Sequence, residues 1–172
     1  ICNSPSLTII ATPKEAQADW VFWFDSPSGG NIAAMPDFLL EGVPYTPSVN
    51  TTDQPVTDTL YAEAQDFDAA GCVSNPRGRM LITVAPNPKL RFDDAPEICS
   101  GQSFDLQSLN IVDEHSLNGT LTYHTDTPAD AANQLTSPIV NPLDTITYIV
   151  KSTTSTGCTD EISITLYVKP GA

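Results

Sequence analysis

The chain has 172 residues, enough for two small domains that each bury a modest core. Seven Lys and Arg stand against 21 Asp and Glu, a formal net charge of −14. Lys14, Arg77 and Arg79 face ten acids in residues 1–86, and four basic residues face eleven acids in 87–172, so each half carries −7. Such even acidity argues against nucleic-acid binding, which needs clustered Lys and Arg, and favours a soluble, non-sticking surface. No apolar run approaches the roughly 20 residues of a membrane span, so no membrane insertion is expected.

The chain opens on Ile1-Cys2 with no initiator Met or signal peptide, which reads as a fragment of something longer. Residues 1–9, ICNSPSLTI, alternate at Leu7 and Ile9 with the period of a half-buried strand. Next, Trp20, Phe22 and Phe24 share one face of a strand and Val21 and Trp23 the other. One of these faces must be core. The other is unusually apolar for a solvent face, and is either covered by a loop or used in binding. Ser28-Gly29-Gly30 marks a turn, and Pro36–Leu40 is the best helix candidate, short and bounded by Gly42 and Pro44. Tyr61 opens a stretch that reaches Gly71-Cys72, followed by a turn at Asn75-Pro76 and an alternating strand, Met80–Val84, that ends at Pro86. Residues 87–96 contain Pro88 and Pro96 and read as a stiff acidic linker, in which Leu90 and Phe92 could form a short edge strand.

The second half repeats the first. Residues 98–106, ICSGQSFDL, share I-C-x-x-x-S-[LF]-x-[IL] with residues 1–9, without a gap. Asn118-Gly119 suggests a type I′ hairpin turn, with both residues at positive φ. His124-Thr125-Asp126 corresponds loosely to Trp23-Phe24-Asp25. Tyr148 opens a second run to Gly157-Cys158, and the strand Ile162–Val168 ends at Pro170. One folding unit used twice, with frequent turn signals, predicts an all-β chain of two tandem sandwiches over 1–86 and 97–170.

The runs WFDSPSGG, Gly42-x-x-Tyr45-Thr46-Pro47, Thr59-Leu60-Tyr61, Gly71-Cys72 and Thr83-Val84-x-Pro86, with ICSG, TYHTD, TYIVKS and TGCTD in the second half, resemble Ig-like repeats of Bacteroidetes surface proteins. These proteins are exported by the type IX system and include very long adhesins of gliding cells. The resemblance implies immunoglobulin-like sandwiches in a secreted or cell-surface adhesin, acting as structural spacers. Neighbouring repeats of the same chain would be the partners, surface glycans a possible contact, and the fragment itself monomeric. The alternative is a lectin-like, carbohydrate-binding module of a surface protein or secreted hydrolase. In this setting the expected disulfides are Cys2–Cys72 and Cys99–Cys158, one per repeat, each supporting a thin core. Trp20 or Trp23 would fill the first core and Tyr123 the second.

No nucleophile elbow, metalloprotease helix, P-loop or dinucleotide fingerprint occurs, so no catalytic residue or cofactor is assigned and no enzyme is expected. His115 and His124 read as surface imidazoles, and the absence of C-x-x-C argues against zinc. Asp66–Gly71 begins like an EF-hand loop but has Ala70 at the fifth position and Arg77 at the twelfth, where a Glu is required. Asp93, Asp94 and Glu97 at the expected joint are the candidate calcium ligands.

Overall fold

The computed structural model describes residues 1–3, 6–14, 20–38, 40–66 and 72–171. Among the described residues it is all-β with a single 3-10 turn, and no helix is long and apolar enough to cross a membrane. The chain divides into two compact units, 1–50 with 54–85 and 51–53 with 86–172.

In the first unit, β2 (Trp20–Phe24), β3 (Ile32–Asp37), β5 (Val56–Gln65) and β6 (Gly78–Val84) form an antiparallel sheet in the order β3-β2-β5-β6. A two-stranded ribbon of β1 (Leu7–Ile9) and β4 (Val43–Tyr45) makes the second layer. The alternation in β2 decides which face is inside. Val21 and Trp23 are each 1% exposed and meet Leu60 and Ile82 of the same sheet and Ile9 and Val43 of the ribbon. Trp23 therefore fills this core, and Trp20 lies on the opposite face. Pro36, inside the expected helix candidate, belongs to β3, an edge strand where a missing N–H breaks no ladder. A polar clip joins the layers: the Tyr45 hydroxyl donates to Asp58 Oδ2 at 3.0 Å, and the Ser48 N–H donates to the same oxygen at 2.7 Å.

In the second unit, β8 (Glu97–Cys99), β11 (Thr120–His124), β13 (Ile146–Thr153) and β14 (Thr159–Lys169) form a sheet in the order β11-β13-β14-β8. The β14–β8 pair is parallel. Two ribbons complete the unit: β7 (Leu90–Arg91) with β10 (Val112–Asp113), and β9 (Phe104–Asp105) with β12 (Ile139–Val140). The 3-10 turn Leu106–Ser108 follows β9, and Asp105 caps it by accepting from the Gln107 N–H. Leu106, Tyr123, Tyr148, Val150, Ile164 and Leu166 make the core.

Three further expectations change. First, residues 87–96 are not a linker. They fall within the second unit, where Leu90 is buried on β7, Phe92 packs on the core and the Leu90 N–H donates to Asp160 Oδ2 at 2.7 Å. Burying these apolar side chains outweighs the stiffening by Pro88 and Pro96 that suggested a joint. Second, Asn118 has φ 50° but Gly119 is outside the left-handed region, so the type I′ turn does not form. Gly119 is required for closeness instead, because a Cβ there would overlap Ser152 Oγ.

Third, neither expected disulfide forms. Cys2 and Cys158 are disulfide-bonded, while Cys72 and Cys99 are exposed thiols. Strand register explains both failures. Cys99 lies opposite Lys169 at the end of β14, whereas Cys158 stands just before its start. At about 3.3 Å per residue that run separates them by roughly 35 Å, against less than about 7 Å between the Cα atoms of a disulfide. In the first unit, Cys72 sits beside the Gln65 end of β5, where its carbonyl accepts from the Asp66 N–H. Cys2 follows Ile1, which bonds Thr83 and Ala85 at the Val56 end. The length of β5, about 30 Å, lies between them.

Candidate binding face

Because β2 turns Val21 and Trp23 inward, it presents Trp20, Phe22 and Phe24 outward. Register places Gln65, Glu63 and Tyr61 of β5 directly opposite these three, and Arg79 of β6 opposite Tyr61. On the other side Ile32 of β3 stands opposite Phe24. Phe38, just beyond β3, joins the row with its ring centroid 4.5 Å from Trp20 at 73° and 6.5 Å from Phe22 at 85°. Trp20 and Phe22 are 6.1 Å apart and tilted by 44°. Edge-to-face packing of this kind is worth about 0.5–1.5 kcal/mol per pair and leaves the rings facing different ways.

A polar row runs alongside. The Gln65 amide donates to Glu63 Oε1 at 2.7 Å, and Arg77 Nε donates to Glu63 Oε2 at 2.8 Å. The Arg77 guanidinium lies 3.5 Å over the Phe24 ring, and its Nη1 donates to the carbonyls of Ser26 and Gly29. Phe24 is thereby covered and the Glu63 carboxylate is satisfied. Ile32, Met35, Phe38 and Leu81 remain 56, 67, 48 and 54% exposed. Among the described residues the face can offer apolar contact and one available cation, Arg79. The β2 aromatics are legible as an alternation. Met35 and Phe38 come with the β2–β3 hairpin, whereas Glu63 and Arg77 reach the row from segments distant in sequence, for which no local signal exists.

The calcium candidates do not converge. Asp93 pairs with Arg91 and Glu97 with Lys169, both at exposed positions, and among the described residues no three His, Cys, Asp or Glu gather as a metal site. Residues 67–71 of the EF-hand-like run lie outside the described residues.

His115 is half-buried, with Nδ1 2.8 Å from the Asn87 carbonyl oxygen. His124 is not a surface imidazole; it is 2% exposed. It points away from the core, since its neighbour Tyr123 points in, but residues 125–134 fold over it. Its ring contacts Thr122 Oγ1, the Asp130 carbonyl oxygen and Asn133 Oδ1 at 2.9–3.0 Å. The same segment is clamped at Ala129, whose carbonyl accepts from Lys151 Nζ at 2.7 Å and whose N–H donates to Glu161 Oε2 at 3.1 Å. The Ala129 N–H, then Lys151, hold the Glu161 carboxyl below its ordinary value.

No family model and no curated protein matches this chain. Among solved structures it is similar to the fibronectin(III)-like modules of CbhA from Clostridium thermocellum, with a TM-score of 0.39 and 13% identity over 98% of this chain and 87% of that chain.

Proposed function

We propose that the chain is a pair of immunoglobulin-like structural repeats, serving as spacers in a large secreted or cell-surface bacterial adhesin of the type IX-exported kind. The observation that carries this reading is a duplication that recurs in hydrogen bonding as well as in sequence. Ile98 of the second I-C motif lies parallel to Val168. Ile1 of the first has its nitrogen on Thr83 O and its carbonyl on the Ala85 N–H, the same parallel arrangement around Val84. Each valine is followed two residues later by a proline, Pro86 or Pro170. A unit repeated with its strand register intact suits an array whose partners are its own neighbours. The acidic surface suits an exposed, soluble stalk. Sequencing the coding region on either side tests the proposal. Further I-C-x-x-x-S-[LF]-x-[IL] motifs at a spacing close to that between Ile1 and Ile98 support it, and a pair standing alone beside a catalytic domain refutes it.

A carbohydrate-binding module is the second reading. The aromatic row Trp20–Phe22–Phe38 with the Arg79 guanidinium on the same sheet face favours it, since sugars use apolar and hydrogen-bonding contacts together. Its test is a glycan array followed by calorimetry. Micromolar affinity lost on Trp20→Ala, with the fold retained, would establish it in place of a pure spacer.

A further inference from the structure

We propose that Cys99 is a cross-linking site that takes, as a disulfide, the Gly-Cys cysteine of another repeat; the inference rests on the repeat-array reading above. The four cysteines are of two kinds. Cys2 and Cys99 each follow an isoleucine at the start of a repeat, and Cys72 and Cys158 each follow a glycine late in one. One cysteine of each kind, Cys2 and Cys158, is disulfide-bonded, and the other of each kind, Cys99 and Cys72, is an exposed thiol. Neither bonded cysteine has the matching cysteine of its own repeat as partner, because those two are the thiols. The strand register forbids that closure in both units, by roughly 30–35 Å against less than about 7 Å. An Ile-Cys cysteine is therefore placed to bond outside its own repeat, and its complement by kind is a Gly-Cys cysteine.

Cys99 stands in its repeat where Cys2 stands in the other. Ile98 lies parallel to Val168 as Ile1 lies around Val84, so the residue after each isoleucine sits at the end of its repeat's last strand. Cys2 carries a bond at that position and Cys99 presents a thiol. The Cys99 backbone is held. Its N–H donates to Gln102 Oε1 at 3.2 Å, its carbonyl accepts from the Gln102 N–H at 3.0 Å, and the Ser100 N–H donates to the Lys169 carbonyl at 2.9 Å. A thiol presented from a fixed backbone loses little further freedom on bonding. Metal binding does not explain it, since among the described residues no three His, Cys, Asp or Glu gather that could hold an ion. In the exported chain of the array reading, a thiol left over points to pairing with another segment or chain. The chemistry balances with a small-molecule disulfide as oxidant. The Cys99 thiolate attacks it and expels one thiolate, and the Gly-Cys thiolate then attacks the mixed disulfide and expels the second. The two cysteines give up two protons and two electrons, and the oxidant is reduced to two thiols.

A second copy of the full chain supplies the probe, because its Cys72 is a Gly-Cys thiol. Cys72→Ser leaves the Cys99 thiol and Cys99→Ser leaves the Cys72 thiol, both changes at exposed positions. The two variants are incubated apart and together in a glutathione redox buffer, with circular dichroism to show that each is folded. Non-reducing electrophoresis and peptide mapping read the products. Each variant alone is expected to remain monomeric, and the mixture to give a Cys99–Cys72 heterodimer about tenfold more abundant than either homodimer. Thiols that react without preference give homodimers and heterodimer at roughly 1:2:1, and that result overturns the proposal. No dimer in the mixture overturns it too, as does mapping that places Cys99 on any cysteine other than Cys72. Flanking motifs found in the coding region together with no heterodimer would remove this inference and leave the array reading standing.

Discussion

Replacing Tyr45 by Phe removes one hydroxyl and separates the two layers of the first unit at a known atom. The phenol donates to Asp58 Oδ2 at 3.0 Å, and Asp58 keeps its bond from the Ser48 N–H. A hydrogen bond to a charged acceptor contributes about 1.5–3 kcal/mol, and partial exposure places this one near 1–1.5 kcal/mol. The pH dependence is more telling. Burial first, then the hydrogen bond to Asp58 and its charge, push the Tyr45 pKa from 10.0 up to about 12. The folded state therefore favours the neutral phenol. Its contribution is complete below about pH 10, the unfolded value, and is lost as pH rises through about 12. A two-unit shift corresponds to about 2.7 kcal/mol at full burial, and solvent screening at this half-buried site reduces that to about 1 kcal/mol. Both tryptophans, Trp20 and Trp23, lie in this unit, so tryptophan fluorescence in urea reports on it alone. Wild type should exceed Tyr45→Phe in stability at pH 8, and the gap should shrink by about 1 kcal/mol toward the alkaline limit. A gap that stays constant from pH 8 to 11.5 would refute the reasoning. Tyr123 and Tyr148, also pushed up by burial, are common to both proteins and cancel in the difference.

Leu166 is fully buried in the second core, so Leu166→Ala should cost about 2–5 kcal/mol, seen calorimetrically as a lowered transition for that unit. Gly119→Ala should destabilise by about 1–3 kcal/mol, because its methyl meets Ser152 Oγ and the Thr153 backbone. Ser152→Ala removes a buried hydroxyl that has no hydrogen-bond partner, and it should recover much of that loss in the double variant. Alkylation of the native protein without reductant should label Cys72 and Cys99, with Cys2 and Cys158 reacting only after reduction. A recovered Cys2–Cys72 or Cys99–Cys158 peptide pair would contradict the strand register. On the acid side, desolvation is the largest influence on Asp58 and raises its pKa, but bonds from Ser48 and Tyr45 outweigh it and hold the carboxyl below its ordinary value. Stability from this group should be present above pH 4 and fall as pH drops through the depressed value, a loss that Asp58→Asn would remove from urea titrations.

Local periodicity carries information about faces, and there the sequence is legible. In β2 the alternation of Trp20, Phe22 and Phe24 with Val21 and Trp23 separates the two faces before any partner strand is known. The terminal strands at Met80–Val84 and Ile162–Val168 fall within β6 and β14 for the same reason. What local pattern lacks is pairing. The alternation of Leu90 and Phe92 suggests a short edge strand, and β7 forms at Leu90–Arg91, but only its pairing with β10 and the packing of Phe92 on the core show that residues 87–96 belong to the second unit. His124 is a polar residue at the end of an outward row, and only the return of residues 125–134 removes it from solvent. The candidate face has the same division. Its β2 row is local, while Arg77 over Phe24 depends on contacts between residues more than fifty apart.

The cysteines make this division most sharply. Two cysteines in matched sequence settings, Ile-Cys at the start and Gly-Cys late in each half, suggest a bridge within each repeat. That inference treats matched context as proximity. In a sandwich whose first strand runs parallel to its last, the start of the unit aligns with the end of the final strand, as Cys99 aligns with Lys169. The late Gly-Cys precedes that final strand and so lies at its opposite end, as Cys158 precedes Thr159. The longer the last strand, the further apart the two cysteines are driven, and β14 is 11 residues long. The parallel register that supports the duplication is therefore the same feature that forbids the bridge expected from it.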